Sequence, residues 1–213
     1  YGALHEKADA GEIVLLAHAA GIFPMSGQVN RMLRRWVGEL ATHLGMSDPL
    51  EKPAAEGPEA GTAKARQGDA PVTTAEEIEK TFASLLGQAA ATRRVVVLVD
   101  ALNQFEPTVR AQYLTWLPRV WPGNARLVTT AIPCTASTTL RARPGCAELA
   151  VPPVSRAEAR QIARRFYTER HHRDVNPRVL EALLDKALPD GGPAHGNPLW
   201  LALALQEMNL LEA

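Results

Sequence analysis

Cysteine, aromatic side chains, net charge and long apolar runs are all scarce in this sequence of 213 residues. Its two cysteines, Cys134 and Cys146, have no CxxC spacing, which excludes a zinc knuckle and a disulfide framework. We interpret them as reduced thiols, and a bridge between them is the less favoured alternative. Lys plus Arg and Asp plus Glu number 23 each, and aromatic residues make up 5%, so we expect no nucleic-acid partner.

The apolar runs are too short to cross a membrane. Residues 13–20, interrupted by His18, and residues 95–99 fall far below the roughly 20 residues that a spanning helix needs. No basic segment followed by an apolar one opens the chain. We therefore expect no membrane association and a cytoplasmic location. Because the first residue is Tyr1 rather than Met, we also expect an internal segment of a longer protein.

Apolar runs alternate with amphipathic segments along most of the chain. Strands are predicted at residues 12–17, 95–100, 126–132 and 146–151, and helices at 27–44, 74–90 and 107–120. Continuous apolar runs are typical of strands buried on both faces of a parallel sheet. The alternation therefore predicts an α/β fold, a parallel sheet with flanking helices. Residues 47–73, rich in Pro, Ala, Glu and Gly, are predicted to form a flexible insertion.

A purely helical region follows the last predicted strand. Helices are predicted at residues 156–170, 177–188 and 198–210, and Ser155 with Glu158 matches a capping box at the first of them. The sequence therefore predicts two domains, an α/β core over residues 1–153 and a small all-helical domain over residues 154–213.

The sharpest feature is the segment VVVLVDALNQF, residues 95–105, in which Asp100 ends an apolar strand. Ligands of open parallel sheets bind beyond the carboxyl ends of the strands, and a carboxylate there can hold Mg²⁺, usually through water. Asp100 equally fits a simple cap on the turn after the strand. Asn103 and Gln104 stand where an acidic base could follow; neither accepts a proton, but either could orient an attacking water.

Two further motifs carry polar groups. The segment RLVTTAIP, residues 126–133, ends a strand with Thr129 and Thr130, which could bond a phosphate or water or could be ordinary strand residues. One helical crossover separates them from Asp100, so both strand ends are expected to converge on one crevice. Later, Asn197 and Pro198 form a cap and first residue of a helix that is apolar nearly all round and is therefore predicted to be buried.

Taken in order, these motifs resemble the STAND branch of P-loop NTPases, which includes NACHT-type signalling ATPases. Residues 96–103 match its Walker B strand, residues 126–133 loosely match its sensor-1 strand, and residues 196–198, Gly-Asn-Pro, look like its Gly-x-Pro motif. The segment EIVLLAHAAG, with His18, looks like the strand that follows the P-loop helix of the family. The resemblance covers nearly the whole chain.

The resemblance implies a nucleotide-binding core with a helical lid, taking ATP or GTP together with Mg²⁺. Asp100 would hold the magnesium ion, and Pro198 would lie against the nucleotide base. Catalytic positions would fall on Asp100, Asn103 and Gln104, and nucleotide-binding positions on Thr129, Thr130, Gly196 and Pro198.

Three features depart from the family pattern. No G-x-x-x-x-G-K-[ST] phosphate loop occurs in the sequence, and the family would carry it just before Tyr1. Ala131 stands where Arg is frequent, and Asn103 with Gln104 replaces the acidic pair that some members use to activate water. We therefore expect slow or switch-like turnover, and we expect the 213 residues alone to bind ATP poorly and to be marginally stable, because a missing central strand leaves unpaired edges.

The leading hypothesis is a nucleotide-dependent switch whose lid controls assembly. By resemblance, its protein partners would bind through effector and sensor domains outside this chain, and homo-oligomers would be permitted. The alternative is a degenerate, non-catalytic NTPase fold that serves as an interaction scaffold. An intact GKS or GKT loop in the coding sequence before Tyr1 would favour the first, and its absence the second.

Overall fold

The computed structural model describes residues 2–51 and 73–211, and most of the predicted insertion lies outside them. The chain divides into two compact units, Tyr1–Ala147 and Glu148–Ala213. This division lies near the boundary predicted after Pro153. Each unit has a hydrophobic core of its own.

The first unit combines three strands with short and medium helices among its described residues. In chain order these are α1 Gly2–Asp9, β1 Ile13–Ala19, α2 Val29–His43, α3 Ala75–Thr92, β2 Arg94–Asp100, α4 Val109–Tyr113, β3 Ala125–Thr129 and α5 Thr135–Arg141.

The strands form one parallel sheet in the order β1-β2-β3. β2 is central and its valines are buried, as its continuous apolar run predicts. In the register, Ala19 lies opposite Asp100 and Val99 opposite Thr129. The predicted α/β class with a parallel sheet is confirmed, and the register brings the carboxyl ends of all three strands to one edge.

Helices α2 and α3 supply much of the core. The apolar stripe of α2 is buried, and the ring of Trp36 stacks on that of Phe82 at 5.7 Å between centroids. Each such large side chain contributes about 1.5–3 kcal/mol on leaving water. α3 starts with a capping box between Thr74 and Glu77, at the residue where the predicted helix begins.

The predicted fourth strand is wrong. Residues 146–151 have no strand partner among the described residues, and Leu149 and Val151 are 89% and 87% exposed. An apolar segment forms a strand only where a neighbour pairs with its backbone groups. Apolar composition without such a neighbour leaves the segment irregular.

The helix predicted over residues 107–120 is also wrong in extent. Thr108 caps α4 by accepting a hydrogen bond from the Ala111 amide, so Pro107 precedes the cap instead of opening the helix. Leu114 takes a left-handed conformation (φ 51°) and ends α4 after one turn. Beyond β3, where no helix was predicted, the chain forms α5, which Cys134 caps.

The second unit contains α6 Arg156–His171, α7 Pro177–Leu184 and α8 Pro198–Leu211. The capping box of Ser155 and Glu158 opens α6, as predicted. Arg156 and Arg160 of α6 both bind Glu181 of α7, and these two guanidinium groups lower the pKa of the Glu181 carboxyl to about 2. The core of this unit packs residues from all three helices: Ala159, Ala163, Tyr167, Leu180, Leu184, Leu201 and Leu205.

The prediction that α8 is buried holds for part of its surface only. Leu201 and Leu205 are buried at 1% exposure each, whereas Leu199 and Leu203 are 67% and 56% exposed. Composition could not reveal the exposed face, because buried and exposed leucines alternate along the helix. None of the helices in the described ranges is long and apolar enough to cross a membrane.

Candidate functional site

The candidate site begins with a carboxylate at the end of the central strand. Asp100 is the last residue of β2, and its side chain is exposed. Thr130, the residue after β3, donates its hydroxyl hydrogen to Asp100 Oδ1. The same hydroxyl oxygen accepts the amide of Ala101 at 2.9 Å. Thr130 therefore holds the carboxylate in one orientation.

The backbone makes this contact rigid. The Thr130 amide donates to the carbonyl of Val99 at 3.1 Å, and the Leu102 amide donates to the Thr130 carbonyl at 2.8 Å. These bonds extend the pairing of β2 with β3 past the end of both strands. The predicted convergence of Asp100 with a threonine of the neighbouring strand is therefore present in the geometry.

Thr129 lies apart from the carboxylate. Consecutive strand residues point to opposite faces of a sheet, and within the described ranges the Thr129 hydroxyl has only a long 3.4 Å contact to the Thr130 carbonyl. Its predicted role toward a nucleotide stays a prediction. Of the two threonines, only Thr130 contacts Asp100 among the described residues.

Asn103 and Gln104 lie on a tight turn directly after β2. Ala101 takes a left-handed conformation (φ 56°), and a 3-10 turn follows over Leu102–Gln104. The Asn103 side-chain oxygen accepts the amide of Ile132 at 3.2 Å, which ties this turn to the segment after β3. The turn brings both amide side chains to the same edge of the sheet as Asp100.

Gln104 is clamped by two glycines that the sequence analysis overlooked. A Cβ atom on Gly27 would lie 2.8 Å from the Gln104 carbonyl oxygen, and one on Gly21 would lie 3.0 Å from the Gln104 Cβ. The loop after β1, residues 20–28, therefore packs against the turn with no room for larger residues at these points. Two glycines in GIFPMSG were the only signal of this approach.

His18 anchors that loop. Its Nε2 lies 2.7 Å from the Ser26 carbonyl, and its Nδ1 lies 3.3 Å from Arg35 Nη2. Because a guanidinium can only donate, Nδ1 accepts and Nε2 carries the hydrogen. Burial is the main cause that lowers the pKa of His18, and the nearby Arg35 charge lowers it further, although the bond to Ser26 opposes both.

The residues present fit a magnesium ion only if a phosphate completes the site. Among the described residues no cluster of three or more His, Cys, Asp or Glu side chains could hold a metal. Mg²⁺, however, is commonly bound through one or two carboxylates together with waters and substrate phosphates. No described residue donates to the second oxygen of Asp100, so that oxygen is available to such an ion or its water.

A shallow cleft of about 140 Å³ lies beside the turn. It is lined from the turn side by Asn103 and Glu106 and from the other side by Cys134 and Thr135. The Cys134 thiol is used in capping α5, where it accepts the Ser137 amide at 3.4 Å. The sequence did not predict this cleft, because one of its walls lies at the start of α5, where no helix was predicted.

Gly196 and Pro198 belong to the second unit. The Gly196 carbonyl accepts the Val154 amide at 3.0 Å, and a Cβ there would lie 3.1 Å from the Pro153 ring, so the glycine permits a close backbone contact. Asn197 caps α8 by accepting the amides of Leu199 and Trp200. The capping prediction is confirmed, and the nucleotide contacts of Gly196 and Pro198 stay predictions.

Fold and site together define an α/β protein with a parallel sheet and one carboxylate at the carboxyl edge of its central strand. No protein-family model matches the chain, and no solved structure matches it. A TPR repeat-containing protein of Dictyostelium discoideum is 26% identical over 114 residues, covering 46% of this chain. The match spans 7% of the length of that much longer relative.

Proposed function

We propose that this chain is part of an ATP- or GTP-binding switch protein of the STAND type. The observation that carries the proposal is the exposed carboxylate of Asp100, oriented by Thr130 at the end of the central strand of a parallel sheet. Ligands of such sheets bind beyond the carboxyl ends of the strands. A nucleotide with its magnesium ion is the ligand class that best matches one carboxylate and few other charges.

Each residue of the edge has a role in this proposal. Asp100 would hold Mg²⁺ or one of its waters, and the ion would neutralise phosphate charge. Thr130 would keep the carboxylate aimed, since its hydroxyl hydrogen is already given to Asp100. Asn103 and Gln104 would orient water or phosphate without accepting a proton, which supports slow turnover typical of a switch.

The proposed partners follow from the Dictyostelium relative. The Dictyostelium relative is named for TPR repeats, and stacked helical repeats form extended concave surfaces that bind other proteins. We infer that the protein carrying this chain joins a nucleotide switch to a repeat-type sensor and to an effector. Self-association of the nucleotide-binding units would convert the switch into an assembly signal.

The first experiment measures binding of fluorescent ATP and GTP analogues to the whole protein, with and without Mg²⁺. Asp100→Asn keeps the size and loses the charge, so the Mg²⁺-dependent part of the affinity should fall roughly tenfold or more. Glu12→Gln is the matched control, because Glu12 is an exposed carboxylate just before β1, at the opposite edge of the sheet. Equal affinities in the two variants would contradict the assignment of Asp100.

The alternative is a non-catalytic scaffold with the same fold. The absence of an acidic residue at Asn103 and Gln104, and of a phosphate loop in these 213 residues, favours it. Failure of the whole protein to bind either nucleotide at millimolar concentration, with a coding sequence that lacks GKS or GKT before Tyr1, would establish the scaffold instead.

A further inference from the structure

The loop after β1 is exposed and has a strained backbone held by local hydrogen bonds. Gly21 and Met25 both have left-handed backbones (φ 80° and 72°), and the second is unfavourable for a residue with a side chain. Short hydrogen-bonded turns hold the loop, with the Ser26 amide on the Phe23 carbonyl and the Gln28 amide on the Met25 carbonyl, both at 3.1 Å. Such strain persists only where surrounding contacts fix it.

Those contacts converge on His18 and on the turn that carries Gln104. The His18 ring holds the Ser26 carbonyl and lies 5.7 Å from the ring of Phe105, the residue after Gln104. The Glu106 amide then donates to the Gly27 carbonyl at 3.0 Å. One imidazole thus bridges the loop after β1 and the turn after β2.

We propose that His18, as a neutral imidazole with hydrogen on Nε2, is a positioning residue that fixes the Asn103–Gln104 turn by pinning the loop of residues 20–28 against it. The role toward a nucleotide rests on the proposed function. The mechanical link between His18, the loop and the turn does not.

The surroundings of the ring favour the neutral form. Arg35 of α2 directs Nη2 at Nδ1, and Arg35 is itself held by the Ala17 carbonyl at 2.7 Å and by Glu39. The loop has no titratable residue between Ala19 and Gln28. On the sheet, β2 places Val99 opposite His18. The aromatic rings near the imidazole are those of Trp36 and Phe105. No carboxylate in the described ranges forms an ion pair with the imidazole.

Protonation would therefore oppose a donor to a donor and a positive charge to a positive charge. Because Arg35 has two other partners, we expect the ring to move away from Arg35 and thereby to lose its bond to Ser26. The closed loop favours neutral His18, so acid opens it: the open fraction rises as pH falls from the ordinary histidine pKa toward the lower pKa of the closed state. The total rise is about tenfold for each unit of that lowering.

Hydrogen exchange of the whole protein, followed by mass spectrometry between pH 5 and 8 and corrected for intrinsic rates, tests this. Peptides containing Gln28 and Glu106 should lose protection toward acid, whereas β2 peptides should keep it. His18→Gln can donate to Ser26 and accept from Arg35 but cannot titrate, so its loop protection should be constant over this range. His43→Gln is the matched control, because burial also lowers the pKa of His43, at the far end of α2.

Several results would overturn the proposal. They are a His18 ring with hydrogen on Nδ1 by nitrogen NMR, the same acid-dependent opening in His18→Gln as in the wild type, or loss of β2 protection together with that of the loop. None of these readouts needs nucleotide. A protein that binds no nucleotide would thus sink the proposed function and leave the exchange result standing, and the reverse also holds.

Discussion

At the scale of single residues, the site depends on one hydroxyl that makes two hydrogen bonds. Thr130 Oγ1 donates to Asp100 and accepts from the Ala101 amide, whereas the neighbouring Thr129 hydroxyl has one long contact. Thr130→Val keeps the shape and leaves both partners unpaired. We expect it to lower the free energy of unfolding by about 1 kcal/mol, since these groups stay near water.

The adjacent threonine provides the comparison for that measurement. Thr129→Val should change the free energy of unfolding in urea by less than about 0.5 kcal/mol, and Thr130→Ser should restore most of the loss because it retains the hydroxyl. Equal destabilisation by the two valine variants would show that β-strand packing, and not the hydroxyl, explains the effect.

At the scale of elements, local signals decided which predictions succeeded. β2 and α2 were predictable because a continuous apolar run is typical of a strand buried on both faces and an apolar stripe is typical of a helix buried on one face. The fourth strand failed because strand formation needs a neighbour, and the helix over residues 107–120 failed because Thr108 and Leu114 end it locally. The contact of Gly21 and Gly27 with Gln104 joins segments far apart in sequence, so the two glycines indicate a close approach without identifying the partner.

Capping boxes were the most reliable of these signals, and one of them supports a quantitative prediction. Ser155 accepts the Glu158 amide and holds the Glu158 carboxylate, which opens α6. Ser155→Ala should lower the free energy of unfolding of the second unit by about 1 kcal/mol. Thr168→Ala, on an exposed position within the same helix, should be neutral or slightly stabilising, because Ala is the better helix former.

Urea unfolding monitored by far-ultraviolet circular dichroism measures both changes. If Thr168→Ala destabilised as much as Ser155→Ala, the loss would come from general disturbance of α6 and the cap would carry no special weight.

At the scale of the whole molecule, the sheet of the first unit has an open side. The Thr130 amide binds the Val99 carbonyl and the Asn124 carbonyl binds the Val95 amide, so alternate residues of β3 face β2. The intervening residues, Leu127 and Thr129, turn their backbone groups the other way, where no described residue pairs with them. Val128 is 47% exposed on the same strand. Such an edge invites pairing with another chain.

The marginal stability expected of the 213 residues would arise from this unpaired edge of β3. A lysine on an edge strand opposes intermolecular pairing because neighbouring copies would have to bury or oppose the charge. Val128→Lys should therefore slow aggregation of these 213 residues severalfold, as measured by light scattering during mild heating. Val179→Lys is the matched control, since Val179 is also partly exposed, at 36%, but lies on α7 in the second unit. If both lysines slowed aggregation equally, added charge alone would explain the result; if neither did, contacts other than the β3 edge would drive the association.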